Sequence, residues 1–317
     1  SSGELAYTSS ALYPGQHIFG NSYTAAIDIT QINFGNNMEA TVYLYNTGSF
    51  NNWGTNNGET SNSPTNTNPG TYAAIPQNQA GQGGVQGQIP SMQGFLVKAM
   101  SNTTGNTLSI PYSSVAVKNT TLQRAKAANE NDSDEKQYLR IDLKTDTVIV
   151  DRMWIFNEEN CTRSFDNGWD GPKMLTENGT PALCAIEKDG LYQVNSVNNM
   201  DETKLGFRKG TATEYTLTFY PKNLQQRYPA VYLLDEATNQ AVKIENEETA
   251  YTFTATGAEN LQQRFRIVAR YYDKGETEGE TQIKVFSSKS HIVIDNLSTE
   301  NGEALIYDMA GRKVGQE

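Results

Sequence analysis

Short runs in which apolar and polar residues alternate recur along this chain. The clearest is residues 139–144, Leu-Arg-Ile-Asp-Leu-Lys, in which apolar and charged side chains alternate. A period of two buries one face of a strand and leaves the other in water. Runs rich in β-branched and aromatic residues predict further strands, at residues 40–45, 94–99, 107–110, 148–156, 215–219, 231–234, 251–254 and 264–268. We therefore predict an all-β protein.

Two polar, charged breaks divide this pattern into three units. Residues 125–137 and 273–281 carry several charges and no strand pattern, so we predict that both are linkers. We expect residues 1–124 and 138–272 to form two antiparallel, jelly-roll-like β-sandwich domains. Residues 282–317 are expected to form a short C-terminal β-hairpin tail.

The first unit contains a long polar stretch, residues 46–93, which has a single charged side chain, Glu59. Loops of this length usually have a function or move. Trp53 and Tyr72 are candidate binding residues, because aromatic rings stack on sugars or protein surfaces while the amides of the loop bond hydroxyl groups. The alternative is that both rings tuck into the domain and hold the loop down.

Composition narrows the choice of partners. The net charge is −11, and no Lys or Arg precedes Lys98. Nucleic acids and anionic membranes bind through clustered Lys and Arg, so neither is an expected partner. No apolar run of ~18 residues predicts a transmembrane segment. The 17 Tyr and 11 Phe favour a folded chain over a disordered one. A neutral glycan or a protein surface is the expected ligand.

The two cysteines, Cys161 and Cys184, are a possible disulfide. Exported domains favour disulfides, which constrain the unfolded chain. The alternative is two buried thiols that pack as small apolar groups. Structural zinc needs about four Cys or His ligands, and only His17 and His291 could join the cysteines.

Asp166, Asn167 and Asp170 are candidate metal ligands, because they place oxygen atoms on a short glycine-containing segment. Ca²⁺ requires such ligands, but it takes six to eight oxygens and the segment has no EF-hand register. The alternative is a turn in which Asp and Asn side chains bond their own backbone. Calcium is thus a possible ligand, and no other cofactor is expected.

Catalysis has little support in the residues. The sequence contains no Gly-x-Ser-x-Gly elbow whose serine could act with His17 or His291, so a catalytic triad is not expected. Glycoside hydrolysis needs two carboxylates, for which Asp166, Asp170 and Glu159 are available. No clustering of aromatic and acidic residues surrounds them, so we expect no catalytic residues and keep hydrolase as a third possibility.

Three segments now support a family resemblance. Residues 292–314, which include Ile-Tyr-Asp-Met-Ala-Gly-Arg-Lys-Val, resemble the C-terminal sorting domain of Bacteroidetes proteins exported by the type IX route. That domain normally continues further, so either the tail is truncated or the resemblance is partial. Residues 19–28 and 92–99 resemble the "GNPYpsaID" and "GQGFFV.A" segments of modules just upstream of such domains. Residues 156–173 resemble their "fNeeaT..fD.gyDa.K" segment.

The resemblance implies a secreted or outer-surface protein, of which this chain is a C-terminal region. Such modules are adhesin-like or uncharacterised, so the resemblance bears on location more than on chemistry. We therefore expect a non-catalytic surface or secreted module with a structural or adhesive role. The alternative is a carbohydrate-binding accessory of a carbohydrate-active protein.

Overall fold

In the computed structural model of this 317-residue chain, the regular structure of the described residues consists of β-strands and a few short 3-10 helices. It divides into two compact units, Ser1–Tyr271 and Tyr272–Glu317. No helix in the described part of the chain is long and apolar enough to cross a membrane. The structure describes residues 2–46, 49–50, 67–68, 70–102, 104–115, 136–176, 180–257, 260–269, 283–288, 291–296 and 302–316.

The first half of the larger unit consists of short strands and 3-10 turns. Its 3-10 helices are Ile29–Gln31, Gln77–Gln79 and Tyr112–Ser114. Its strands are β1 (Ser2–Glu4), β2 (Gln16–Gly20), β3 (Ile27–Asp28), β4 (Asn33–Phe34), β5 (Met38–Asn46), β6 (Ser49–Phe50), β7 (Thr67–Asn68), β8 (Thr71–Pro76), β9 (Gln88–Ile89), β10 (Gly94–Ala99) and β11 (Thr107–Ser109).

Two antiparallel sheets organise this half, in the strand orders β1-β11-β4 and β2-β10-β5-β8. Both contribute side chains to a first hydrophobic core, such as Leu108 from β11 and Val42 from β5. The pairs β3-β9 and β6-β7 are separate. The prediction of a loop throughout residues 46–93 is wrong for its second half, because β8 and β9 lie inside it. Thr71–Pro76 lacks strict alternation, yet it pairs along β5 and buries Ala74 and Ile75.

The second half of the larger unit has longer strands and, among its described residues, one 3-10 helix, Leu224–Gln226. Its strands are β12 (Tyr138–Thr145), β13 (Val148–Asn157), β14 (Gly171–Pro172), β15 (Ala182–Ile186), β16 (Leu191–Val197), β17 (Thr203–Arg208), β18 (Glu214–Lys222), β19 (Val231–Asp235), β20 (Gln240–Ile244), β21 (Thr249–Thr254) and β22 (Gln262–Ala269).

These strands form one large sheet in the order β20-β19-β22-β17-β15-β16-β13-β12-β18-β21, with β14 beside β16. Every pair is antiparallel except β13 and β16, which run parallel. A parallel pair needs a crossover rather than a tight turn. The prediction of a purely antiparallel arrangement is wrong here, because the chain crosses over between Asn157 and Leu191. The all-β prediction is confirmed, but the division into two sandwiches is not.

The large sheet is nearly closed around a second hydrophobic core. Tyr251, on the edge strand β21, donates from its hydroxyl group to Asp235 Oδ2 at 2.9 Å and to Gln240 Oε1 at 3.2 Å. These acceptors lie on β19 and β20, at the opposite end of the strand order. Side chains from both ends, including Ile244 and Phe253, therefore share one core with those of the central strands.

The predicted boundaries between domains stay predictions. Most of the linker predicted at 125–137, and all of the one predicted at 273–281, lies outside the described residues.

The smaller unit contains two hairpins, formed by β23 (Ile283–Ser288) with β24 (His291–Asn296) and by β25 (Leu305–Tyr307) with β26 (Lys313–Gln316). Asp308 caps the turn between β25 and β26, because its Oδ1 accepts from the backbone N–H groups of Ala310 and Arg312 at 2.9 Å each.

Candidate functional site: the seam between the two cores

The chain between β13 and β14 forms a tight turn built by its own carboxylates. Asp170 Oδ2 accepts from the backbone N of Asp166 at 2.7 Å, and Asp166 Oδ2 accepts from the backbone N of Thr162 at 2.6 Å. Asp side chains favour such local bonds to the backbone. Gly168 has a φ of +83°, in the left-handed region that favours glycine. The turn holds Asn167 and Gly168 toward the first half of the unit.

Asn167 binds strand β5 through both ends of its amide group. Its Nδ2 donates to Met38 O at 2.9 Å, and its Oδ1 accepts from Ala40 N at 2.8 Å. The side chain thus bonds the strand as a neighbouring peptide group would. Next to it, Gly168 O accepts from Asn78 N at 2.8 Å. Two consecutive residues therefore join the turn to β5 and to the 3-10 helix after β8.

Gln193 on β16 covers the outer edge of β8. Its Oε1 accepts from Ala74 N at 2.8 Å, and its Nε2 donates to Arg152 O at 3.0 Å. Ala74 is buried, so its N–H group would otherwise lack a partner in a place without water. Thr41 adds a bond from Oγ1 to Asp170 O at 3.2 Å. The second half thereby completes the hydrogen bonds of the first.

Two further buried side chains cross between the halves. Gln79 donates from Nε2 to Glu158 Oε1 at 3.0 Å and to Ser196 Oγ at 3.2 Å. Trp154 donates from Nε1 to Gly83 O at 2.7 Å. A buried indole usually finds such a partner for its N–H group.

Apolar side chains of the second half also pack in the core of the first half. Tyr138, Trp154, Phe156 and Val194 belong to β12, β13 and β16, yet they pack in the first core. Gly83 has a φ of +58°, and a Cβ atom there would lie 3.0 Å from the Phe156 ring. The close approach therefore requires glycine. We call this junction the seam and define it by Trp154, Asn167, Gly168, Asp170, Gln193 and Ser196 with the partners named above.

Burial perturbs the carboxyl groups of Asp170 at the seam and of Glu39 on β5. Burial raises the pKa of Asp170 to about 7, although the N–H groups of Ser196 and Asp166 oppose the rise. Burial likewise raises the pKa of Glu39 on β5, while hydrogen bonding to Tyr43 and the ammonium of Lys98 oppose it. Both groups are therefore protonated more readily than exposed acids.

The predicted metal ligands serve the turn and the seam. Oδ1 of Asp170 accepts from Ser196 N at 2.7 Å, and Oδ2 is taken by Asp166 N. The side-chain oxygen of Asn167 is likewise taken by Ala40 N. Backbone N–H groups thus bond three of these side-chain oxygens, and calcium binding here stays a prediction. Among the described residues, no group of three or more His, Cys, Asp or Glu side chains is placed to hold a metal ion.

Cys161 and Cys184 are both buried and both free. Their surroundings differ, because Asp166, Asp170 and Glu158 act on Cys161 while Cys184 lies near Lys173, Asp151 and Arg208. Burial raises the pKa of each thiol to about 12. The predicted disulfide is not formed in this structure, and the thiols pack as small apolar groups instead.

Of the two predicted binding aromatics, Trp53 lies outside the described residues. Tyr72 lies on β8 opposite Tyr45 of β5, with ring centroids 4.9 Å apart. It packs, half-buried, against a small cluster that includes Tyr43 and Leu96. Tyr72 therefore contributes to packing on this face of the sheet.

The sequence did not single out Gln79, Trp154 or Gln193, which carry much of the seam. Glutamine is usually an exposed residue, and nothing in the neighbouring sequence distinguishes a buried one. The segment around Asn167 was the only part of the seam with a signal. Its Asx and glycine residues predicted a tight turn, although not the strand to which the turn binds.

Comparisons with known proteins agree with this layout. A family model described as "Domain of unknown function (DUF8693)" matches residues 10–269, a span that runs through both cores and ends close to the boundary of the larger unit. Over 320 residues the chain is 33% identical to the minor fimbrium subunit Mfa5 of Porphyromonas gingivalis. The alignment covers 97% of this chain but 25% of that protein, so the chain spans about a quarter of the relative's length. No solved structure gives a significant match.

Proposed function

Because the chain belongs to the family described as Domain of unknown function (DUF8693), and because 97% of this chain aligns with part of a fimbrium subunit, we propose that it is a non-catalytic structural or adhesive module of a cell-surface protein. The likeness to the minor fimbrium subunit of Porphyromonas gingivalis is the observation that carries this proposal. Its partners would then be other protein surfaces at the cell exterior.

The seam supports a structural role. A surface module that transmits force must resist separation of its parts, and buried hydrogen bonds with shared apolar packing provide that resistance. Asn167, Gln193 and Trp154 supply both kinds of contact. A module built this way keeps its two cores in one orientation, as an element of a filament or stalk requires.

Fractionation of the native host tests the proposal. Surface filaments are sheared from intact cells, separated by size, and probed with antibody against this chain. We expect the chain in the high-molecular-weight filament fraction and accessible to a protease added to whole cells. A cytoplasmic enzyme serves as the matched control and must be absent from that fraction. Recovery of the chain only inside the cells would contradict the proposal.

We also propose that the smaller unit is an export signal of the type IX kind. The support is the resemblance of residues 292–314, in which Asp308 caps the hairpin turn. Deletion of residues 283–317 should abolish surface display and leave the protein inside the cell. The melting temperature of the remaining purified chain should stay unchanged, which separates lost export from lost folding. Surface display at the normal level would refute the export role.

A further inference from the structure

Strand β2 is the edge of its sheet and pairs only with β10 among the described strands. Backbone bonds at both ends of this pairing show which residues of β2 face β10. They run from Asn21 N to Gln93 O at 2.9 Å and from Ala99 N to Gly15 O at 2.8 Å. In an antiparallel pair, every second residue bonds to the partner strand and those between point away from it. The backbone groups that point away from β10 are therefore those of Gln16, Ile18 and Gly20, of which Gln16 N already donates to Tyr13 O at 3.3 Å.

Large apolar side chains surround this edge and are exposed to solvent. Leu12 is 84% exposed, Tyr13 64%, Ile18 73% and Met92 76%. No charged residue occurs between Glu4 and Asp28. Grouped exposed apolar residues on a folded protein usually mark an interaction site. We call Leu12, Tyr13, Ile18 and Met92, with the outward groups of β2, the open edge.

Two other sheet edges of the same molecule are protected. The backbone N of Ala74 on β8 is capped by Gln193, and β20 carries the charged Lys243. Natural sheets use covers and charges of this kind to prevent pairing with other strands. The only ionisable residue on β2 is His17, whose Nε2 lies 2.7 Å from the backbone oxygen of Ala6. The open edge lacks these protections.

Met92 provides a second, independent observation. Its φ is +63°, and Gln93 N bonds to Pro90 O at 3.2 Å across the turn. This turn position favours glycine or asparagine, because a bulky side chain is strained there. The chain nevertheless carries methionine, and its side chain projects into solvent. A strained and exposed apolar residue beside an open strand is better explained by a contact than by the fold.

We propose that the open edge is a self-association surface, at which β2 of one chain pairs antiparallel with β2 of a second copy. A two-fold axis at Ile18 pairs the backbone N and O of Ile18 with those of Ile18 in the other copy, and lets Gly20 N of each copy donate to Gln16 O of its partner. Met92 N bonds to Asn21 O at 2.9 Å, so Met92 lies at the opposite end of β2 from Leu12. Antiparallel pairing therefore brings Leu12 and Tyr13 of each copy toward Met92 of its partner.

The absence of charge favours a second copy as the occupant. Two identical edges carrying Lys or Glu would repel one another, whereas an uncharged edge matches itself. The resulting sheet has the strand order β8-β5-β10-β2 followed by its symmetry mate. This inference does not depend on the proposed function.

Sedimentation equilibrium of the purified chain, over a wide concentration range, tests the proposal. We expect a reversible monomer–dimer equilibrium that added salt does not weaken, because no opposite charges meet at the interface. Amide hydrogen exchange should slow at Ile18 and Gly20 as concentration rises. A chain that is monomeric throughout, or amides there whose exchange ignores concentration, would overturn the proposal.

Substitutions locate the interface. Ile18→Lys places two like charges opposite each other across the axis and should weaken dimerisation by about tenfold or more. Val148→Lys is the matched control, since Val148 is also an exposed strand residue but not on an edge strand. Dimerisation that survives Ile18→Lys, or that falls equally with Val148→Lys, would contradict the proposal.

Met92→Gly gives a test that a folding defect cannot imitate. Glycine relieves the left-handed conformation, so the melting temperature should rise while dimerisation weakens. A higher melting temperature without weaker dimerisation would show that Met92 makes no intermolecular contact.

Discussion

The two cores of the larger unit differ in where their residues come from. The second core is supplied by residues 139–269 alone. The first core takes Tyr138, Trp154, Phe156 and Val194 from the strands of the second half. The second core is thus self-sufficient, whereas the first is incomplete without its neighbour. A stretch of chain that looks like a domain by its strand pattern can depend on another for its interior.

The two halves also differ in buried charge. The second core region contains ion pairs such as Lys173 with Asp151 and Arg264 with Asp235, whose carboxylates are at most 1% exposed. The first half has no Lys or Arg before Lys98, and it uses amide side chains as hydrogen-bond donors and acceptors instead. Strong, specific electrostatics therefore belong to the second half, and shared hydrogen bonds join the first half to it.

Separating the halves should have the largest effect. A fragment of residues 1–115 lacks four large side chains of its core and should not unfold cooperatively, because it cannot bury enough apolar surface. A fragment of residues 136–269 should melt cooperatively. Circular dichroism and the dispersion of amide NMR signals measure both. A cooperative transition in the first fragment would break the comparison.

Breaking a buried ion pair should have the next largest effect. Lys173 Nζ donates to Asp151 Oδ1 at 2.7 Å and to Oδ2 at 2.6 Å. Asp151→Ala leaves the ammonium buried without its partner and should lower the free energy of unfolding by about 3–5 kcal/mol. Chemical denaturation measures it. Glu245→Ala, which removes an exposed partner of Lys243, is the control and should change stability by less than about 1 kcal/mol. Equal losses in both variants would contradict the argument.

Raising the pH should weaken the seam. The pKa of Asp170 is about 7 in the folded chain against 3.8 for the ordinary group, so the folded chain retains a proton that the unfolded chain has lost. Stability should therefore fall as pH rises from about 4 to about 7, by no more than about 4 kcal/mol. Urea denaturation at a series of pH values measures the slope. Asp170→Asn should flatten it. A stability that rises through this window with Asp170 present, and keeps the same slope in the variant, would refute the assignment.

Removing one seam side chain should have the smallest effect. Asn167→Ala deletes two hydrogen bonds to β5 and leaves the buried backbone groups there unpaired, which should cost about 1–3 kcal/mol. Hydrogen exchange should accelerate at Ala40 more than within β18. Asn198→Ala, at an exposed position, is the control and should change neither quantity. Unchanged exchange at Ala40 would show that the seam does not depend on this contact.

Strand positions were largely predictable because they depend on local composition. Residues 139–144 lie within β12, and Leu139, Ile141 and Leu143 are fully buried as their alternation predicts. The opposite face was predicted to be wet, which is wrong for Asp142. That carboxylate is 1% exposed and paired with Arg152 of β13. The alternation identified a strand, but it could not show what covers the second face.

The sequence predicted only those contacts of the site whose partners lie close together along the chain. Asp166 and Asp170 make the tight turn that their sequence favours, because their partners lie within four residues. The calcium site considered for the same residues stays a prediction, and in this structure Asp170 and Asn167 accept hydrogen bonds from Ser196 N and Ala40 N, which lie far from them in the sequence.

Local sequence was enough to identify a β protein, the positions of most of its strands, and one Asx turn. Side-chain size, branching and hydrogen bonding within a few residues govern those features, so each is encoded where it occurs. The tertiary structure alone decided that β13 and β16 run parallel and that Gln193 caps Ala74, 119 residues away along the chain. A glutamine can bond almost any backbone group, and only the assembled fold selects which one lies within reach.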